Sequence, residues 1–131
     1  LMSMQDMSTA VQYKLPIKIF ILNNEYMGMV RQWQELLHEK NYSESYTAAL
    51  PDFVKLAEAY GCVGIQATKP DELDEKINEM INTKEPVIFD CRVDPAENCY
   101  PMIPSGKPHN QMLLGPEDEK EEVTDEGKTL V

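Results

Sequence analysis

LPIKIFILNNEYMGMVRQWQ, residues 15–34, is the stretch of sequence that decides the fold. Its first part, IKIFIL at residues 17–22, is β-branched and mostly apolar, which is typical of a strand buried on both faces of a parallel sheet. Two asparagines, Asn23 and Asn24, end this strand, and apolar residues at helical spacing resume over residues 26–38. The stretch therefore predicts a buried strand that passes directly into a helix.

Strands and helices alternate through the rest of the chain. Apolar runs predict two further strands, at residues 62–67 and 86–91. Apolar residues at helical spacing predict helices over residues 2–11, from Pro51 to the stop at Gly61, and from Pro70 onward. This alternation predicts an α/β fold with one parallel sheet flanked by helices. Ligands of such sheets bind beyond the carboxyl ends of the strands, which is where the asparagine pair lies.

Charge and cysteine usage exclude several classes of function. The net charge of -11 argues against nucleic-acid binding, in which lysine and arginine must neutralise phosphates. No window reaches the roughly 18 apolar residues of a membrane span, and residues 1–10 do not resemble a secretory signal, so we expect a cytoplasmic protein. Cys62, Cys91 and Cys99 are expected to be free thiols, the first two in the core. His38 and His109 are far apart, so no histidine-based metal site is expected.

The composition changes towards the C-terminal end. Residues 98–115 are rich in proline, glycine and asparagine, and residues 117–126 are mostly acidic. Such a charge run predicts a solvated, mobile tail. We therefore divide the chain into a domain over residues 1–104 and an acidic tail over residues 105–131. Because residues 1–4 already lie inside a predicted helix, we expect the chain to be a fragment of a longer protein.

The asparagine pair predicts one side of a metal–diphosphate site. An asparagine carbonyl suits Mg²⁺, which prefers few protein ligands together with phosphate oxygens and water. Asn24, a backbone oxygen near Tyr26, and the amides of Gly28 and Met29 would supply that side, because a helix N-terminus attracts phosphate. A turn and helix cap is the plainer alternative, and from the residues alone it is the more common role of an Asn-Asn pair.

Three stretches of the chain resemble a known family. LNN, preceded by LPIKI and followed by GMVRQWQ, resembles the second half of the thiamine-diphosphate motif, whose Gly-Asp-Gly half is missing here. GMVRQWQ, PDFVKLAEAYG and NCYPMIPSG resemble the acetolactate (acetohydroxyacid) synthase catalytic subunit in particular. The similarity covers nearly the whole chain up to the acidic end. It implies the C-terminal part of a thiamine-diphosphate-binding fold.

The resemblance implies roles for individual residues. Asn24 would bind Mg²⁺ through its side chain and Tyr26 through its backbone carbonyl, at a position where the family often has an acidic residue. Met29 and Val30 would lie near the thiazolium and the substrate, and Trp33 would line the pocket for a second 2-keto acid. The alternative for these three is a core stripe, which helical spacing produces by default. The implied cofactor contacts are Met2, Asn24, Tyr26, Gly28 and Met29.

The resemblance also implies an activity. It is the decarboxylation of pyruvate and carboligation to a second 2-keto acid such as 2-ketobutyrate, in branched-chain amino acid biosynthesis. The implied cofactors are thiamine diphosphate and Mg²⁺, with FAD bound by a domain outside these residues. The implied partners are further copies of the enzyme and a regulatory subunit. The family's activating glutamate lies in another domain, so we expect the chain alone to be inactive. The alternatives are a pyruvate oxidase or glyoxylate carboligase type of enzyme, or a non-catalytic α/β assembly module.

Overall fold

The computed structural model describes residues 2–116 and 118. These form two compact units: a sheet unit of residues 1–25 and 48–95, and a helix unit of residues 26–47 and 96–131 as far as they are described. The elements in chain order are α1 (Asp6–Gln12), β1 (Lys18–Asn23), α2 (Gly28–Leu37), α3 (Phe53–Tyr60), β2 (Val63–Ala67), α4 (Leu73–Asn82) and β3 (Val87–Arg92). Helix α2 belongs to the helix unit, and the other six elements belong to the sheet unit.

The predicted parallel sheet is confirmed. The strand order is β1-β3-β2, and the central strand β3 pairs in parallel with both neighbours. In this register Ile21 and Gln66 both lie opposite Asp90. Residues 87–91 of β3 are all buried, because a central strand has a neighbour on each side and helices above and below.

Apolar clusters cover the two faces of the sheet, because successive strand residues point to opposite sides. On one face, β3 contributes Val87, Phe89 and Cys91, which pack with β2 and with Met80 of α4. On the other face, Ile88 packs against α1 and α3. Cys62 and Cys91 are both buried, as predicted, and burial raises the pKa of each thiol. The three cysteines are free.

Several predicted boundaries shift. Helix α1 begins at Asp6, four residues after the predicted start, because residues 2–5 form turns. Pro70 begins a 3-10 turn over Pro70–Glu72 that leads into α4. The prediction that Pro51 lies in the first turn of α3 was wrong, because Asp52 is the N-cap and its carboxylate accepts the Lys55 N–H at 3.1 Å. Gly61 ends α3 in the left-handed conformation, with φ 80°, as predicted.

The N-cap makes the stability of α3 depend on pH. The Lys55 backbone N–H holds the pKa of Asp52 below its ordinary value of 3.8. A lowered pKa stabilises the fold above the ordinary value, and that stabilisation is lost as the pH falls through the lowered pKa. We therefore expect Asp52→Ala to lower Tm at about pH 7 and to lower it much less at about pH 2.

Thermal unfolding followed by circular dichroism measures this difference. Asp52→Asn is the matched control, because asparagine also caps helices but does not titrate. At neutral pH its Tm should lie between those of the unsubstituted chain and of Asp52→Ala, because it keeps the capping oxygen but lacks the charge. An equal loss of Tm from Asp52→Ala at both pH values would show that the carboxylate charge has no part in the cap.

The helix unit contains the described part of the predicted tail. Residues 109–111 form a short 3-10 turn, and Leu113 is buried and pairs with Met102 through a backbone bridge. Apart from Asp118, the acidic stretch of residues 117–126 lies outside the described residues, so the predicted division at residue 104 stays a prediction. Across the part of the chain that the structure describes, no helix is long and apolar enough to span a membrane.

Candidate functional site

A cleft lies at the carboxyl edge of the sheet, where the sequence predicts a ligand. Its volume is about 380 Å³. The residues that follow or end all three strands line it: Asn23, Asn24, Glu25, Gln66, Thr68, Arg92, Val93 and Pro95. The lining therefore combines amide, hydroxyl, carboxylate and guanidinium groups within the sheet unit.

The two asparagines have different environments. Asn23 is buried, its Nδ2 donates to the Asp90 carboxylate at 2.8 Å, and its Oδ1 accepts the Glu25 N–H at 3.1 Å. Asn24 is only partly buried and lines the cleft. The turn alternative is therefore correct for Asn23. The helix-cap alternative is wrong for both asparagines, because the N-cap of α2 is Met27, which makes no side-chain hydrogen bond.

Glu25 closes the turn in a left-handed conformation, with φ 60°. For a residue with a side chain this conformation costs roughly 1–2 kcal/mol, so other contacts must hold it. The Glu25 carboxylate forms an ion pair with the Arg92 guanidinium, and Arg92 Nε in turn donates to Asp90 at 3.2 Å. The backbone around Asn24 is thus fixed by a network of polar side chains.

The cleft suits a shared metal–diphosphate site better than a complete metal site. Among residues 2–116 and 118, no group of three or more His, Cys, Asp or Glu side chains could hold a metal ion. Mg²⁺ often takes only one or two protein ligands, and phosphate oxygens and water supply the others. The amide of Asn24 and the hydroxyl of Thr68 are hard oxygen donors of this kind. The donor set therefore fits Mg²⁺ with a diphosphate as co-ligand.

Helix α2 exposes two apolar side chains of its first turn and buries the two polar side chains that follow them. Met29 is 76% exposed and Val30 40%, whereas Arg31 and Gln32 are each only 7% exposed. Trp33 is partly buried. The core-stripe alternative is therefore wrong for Met29 and Val30. An exposed apolar patch on a folded protein usually marks a ligand or partner surface.

Polar contacts explain this inverted burial. Arg31 donates to Glu35 at 2.6 Å and to Asn98 at 2.9 Å. Gln32 pairs with the backbone of Cys99, donating to its carbonyl at 3.1 Å and accepting its N–H at 2.9 Å. Burial of polar side chains is tolerated when they are hydrogen-bonded in this way. We did not predict the contacts with Asn98 and Cys99, because these two partners lie more than sixty residues away in the sequence.

The predicted substrate-pocket residues lie together in the helix unit. A groove of about 500 Å³ is lined by Met29, Val30, Trp33, Gln34, His38 and Asn41. Within the described residues, the Gln34 Oε1 atom is buried and has no hydrogen-bond partner, while its Nε2 donates to the Ser43 carbonyl at 2.8 Å. A buried acceptor without a donor is uncommon in folded proteins. The groove therefore combines the apolar side chains of α2 with the polar residues Gln34, His38 and Asn41.

The other predicted residues are distributed between the units. Met2 lies in the sheet unit and is 97% exposed. Tyr26 lies in the helix unit, where its backbone bridges to Tyr46 and the two rings are 5.2 Å apart. Asn24 belongs to the sheet unit, so the two predicted metal ligands, Asn24 and Tyr26, belong to different units. Their role as metal ligands stays a prediction. Gly28 is the first residue of α2.

The sequence has recognisable relatives. Residues 1–91 match the family described as "Thiamine pyrophosphate enzyme, C-terminal TPP binding domain". The chain belongs to this family. A solved structure with the same kind of fold is the Rhodococcus jostii RHA1 thiamine diphosphate-dependent 4-hydroxybenzoylformate decarboxylase. It is 26% identical, with a TM-score of 0.62 over 70% of this chain and 17% of that chain.

Acetolactate synthase large subunits are similar to most of the chain. That of Cyanidium caldarium is 49% identical over 113 residues, which is 86% of this chain and 19% of the relative. That of Haemophilus influenzae is 45% identical over 120 residues, 91% of this chain and 21% of the relative. The isozyme 3 large subunit of Escherichia coli is 46% identical over 116 residues, 86% of this chain and 20% of the relative. The chain thus spans about a fifth of the length of these relatives.

Proposed function

We propose that this chain forms the C-terminal part of the thiamine-diphosphate domain in an acetolactate synthase large subunit. The single observation that supports this most strongly is its identity of 45–49% to such subunits over 86–91% of its length. Similarity at this level to a catalytic subunit favours an enzyme over a non-catalytic assembly module. When bound, thiamine diphosphate supplies the chemistry that decarboxylates pyruvate and joins the two-carbon unit to a second 2-keto acid.

In this proposal two residues that follow β1 bind the metal. Asn24 binds Mg²⁺ through its side-chain oxygen and Tyr26 through its backbone carbonyl. Support for Asn24 comes from its place in the lining of the cleft. The neighbouring Asn23 is hydrogen-bonded to Asp90 instead. The Gly28 and Met29 amides approach the diphosphate at the start of α2, which has no side-chain cap from Met27.

The helix unit contributes the substrate pocket. Met29 and Val30 pack against the reacting part of the cofactor and the first substrate, and Trp33 lines the pocket for the second 2-keto acid. The exposed apolar face of α2 supports this assignment, because such a face can exclude water from a bound ligand. Met2 adds a further apolar contact to the cofactor. All four residues orient and enclose the reactants and transfer no proton.

The proposal also extends to partners. The enzyme uses pyruvate and 2-ketobutyrate in the cytoplasm, binds FAD through another domain, and assembles from several copies with a regulatory subunit. The relatives are large subunits by name, which supports a smaller partner subunit. Apolar side chains at the surface of the sheet unit, such as Phe20 at 39% exposure and Leu22 at 68%, support contacts with further protein.

A product assay of the full-length enzyme tests the proposal. With pyruvate, thiamine diphosphate, Mg²⁺ and FAD, we expect acetolactate, measured as acetoin after acid treatment. With 2-ketobutyrate added, the corresponding acetohydroxybutyrate should form as well. Pyruvate-dependent oxygen consumption without acetolactate would indicate an oxidase, and a preference for glyoxylate would indicate a glyoxylate carboligase. Either result would refute the proposed activity.

A further inference from the structure

A buried carboxylate lies beneath the cleft at the end of the sheet. Asp90 is only 1% exposed and occupies the central strand, whose neighbouring side chains are apolar. A charge in such a place is costly unless it is paired and hydrogen-bonded, and an apolar residue of similar size usually serves stability as well. The carboxylate therefore calls for an explanation other than core packing.

Three side chains, one from each strand, donate to this carboxylate. Asn23 Nδ2 donates to Oδ1 at 2.8 Å, Gln66 Nε2 to Oδ2 at 2.9 Å, and Arg92 Nε to Oδ2 at 3.2 Å. The register explains the convergence, because Gln66 lies opposite Asp90 and Asn23 lies opposite Arg92, all on one face of the sheet. Asp90 is thus the common acceptor at this edge.

The same network reaches both sides of Asn24. On one side, the Asn23 amide that Asp90 orients accepts the Glu25 N–H at 3.1 Å and so closes the turn. On the other side, Arg92, which Asp90 also orients, forms the ion pair with the Glu25 carboxylate. Asn24 therefore lies between two residues whose side chains are tied to a single buried carboxylate.

We infer that Asp90 is a positioning residue for the Asn24 metal ligand. It fixes the turn over residues 23–25, which presents the Asn24 amide at the cleft. It contacts neither metal nor substrate itself. This inference rests on the proposed function, in which Asn24 binds Mg²⁺. Groups that orient a metal ligand commonly change metal affinity by 10–100-fold when they are replaced.

Calorimetric titration of Mg²⁺ into the full-length enzyme, at saturating thiamine diphosphate, measures this effect without an activity assay. Asp90→Asn keeps the size of the side chain but replaces one acceptor oxygen with a donor. We expect it to weaken Mg²⁺ binding by about tenfold. Asn23→Ala removes the side chain that joins the Asp90 carboxylate to the Glu25 N–H, and it introduces no new polar group into the core. It should weaken Mg²⁺ binding as well. It keeps the test decisive if Asp90→Asn does not fold.

Ile88→Val is the matched control. Ile88 is buried on the same face of the same strand, two residues before Asp90, and packs in the core with α1 and α3. It should lower Tm and leave the Mg²⁺ affinity unchanged. The positioning role would be overturned if Asp90→Asn and Asn23→Ala bound Mg²⁺ as tightly as the wild type. It would also be overturned if Ile88→Val lost as much Mg²⁺ affinity as they do. Asn24→Ala distinguishes a failure of the Asp90 positioning role from a failure of the Asn24 metal-ligand role. If Asn24→Ala also leaves the Mg²⁺ affinity unchanged, the proposed metal site itself is wrong.

Discussion

The 131-residue chain expressed by itself is expected to form no acetolactate from pyruvate, even with thiamine diphosphate, Mg²⁺ and FAD added. The chain has no Gly-Asp-Gly sequence, and its cleft offers no acidic cluster that could hold the metal within the described residues. A missing general acid or base typically costs 10²–10⁴-fold in rate, and a missing metal site removes further stabilisation of charge. Together these losses place turnover below detection.

A colorimetric acetoin assay gives the measurement. Circular dichroism of the same sample should first confirm that the chain is folded, so that inactivity is not due to unfolding. The full-length enzyme at equal molar concentration is the positive control, and a boiled sample of the chain sets the background. Turnover by the isolated chain clearly above the boiled sample would mean that it contains a complete active site.

The sheet could be predicted from the sequence because each strand is a short, mostly apolar run of the expected length. Three apolar, β-branched runs separated by helical patterns allow few arrangements other than a parallel α/β sheet. Strand ends were displaced by one residue, since Asn23 and Arg92 extend the β1–β3 ladder although both are polar. The prediction that residues 17–22 are buried on both faces was wrong, because β1 is an edge strand and its Phe20 and Leu22 side chains are exposed.

The burial of α2 could not be predicted in the same way. Its apolar spacing indicates an amphipathic helix, but spacing does not say which face the protein covers. The buried face depends on Asn98 and Cys99, whose hydrogen bonds bury Arg31 and Gln32 while Met29 and Val30 stay exposed. Such long-range polar pairing has no periodic signature in the sequence.

Asp90 did leave a signal in the sequence. A single carboxylate inside the apolar run of residues 86–91 is unexpected, because charged residues are seldom fully buried unless they are paired. Its partners could not be identified beforehand, since they depend on the strand order and register. Once β3 is known to lie between β1 and β2, the convergence of Asn23 and Gln66 follows directly.

Asn24→Ala is expected to weaken thiamine-diphosphate binding to the full-length enzyme by at least about tenfold, or about 1.4 kcal/mol. Mg²⁺ prefers near-octahedral oxygen coordination, and in the proposed site Asn24 would supply one of its protein oxygens while the diphosphate would supply others. Removal of one of its few protein oxygens leaves the diphosphate charge under-compensated. Asn24→Asp keeps an oxygen at the same place and should bind the cofactor much more tightly than Asn24→Ala.

Titration calorimetry of thiamine diphosphate at fixed Mg²⁺ concentration is the most direct test that the strand-end asparagine belongs to the cofactor site. Asn78→Ala is the control, because Asn78 is exposed on α4 and its side chain donates to the Asp74 carbonyl of its own helix. We predict a dissociation constant at least about tenfold higher for Asn24→Ala and unchanged for Asn78→Ala. Equal affinity in the wild type and Asn24→Ala would show that Asn24 serves only the turn.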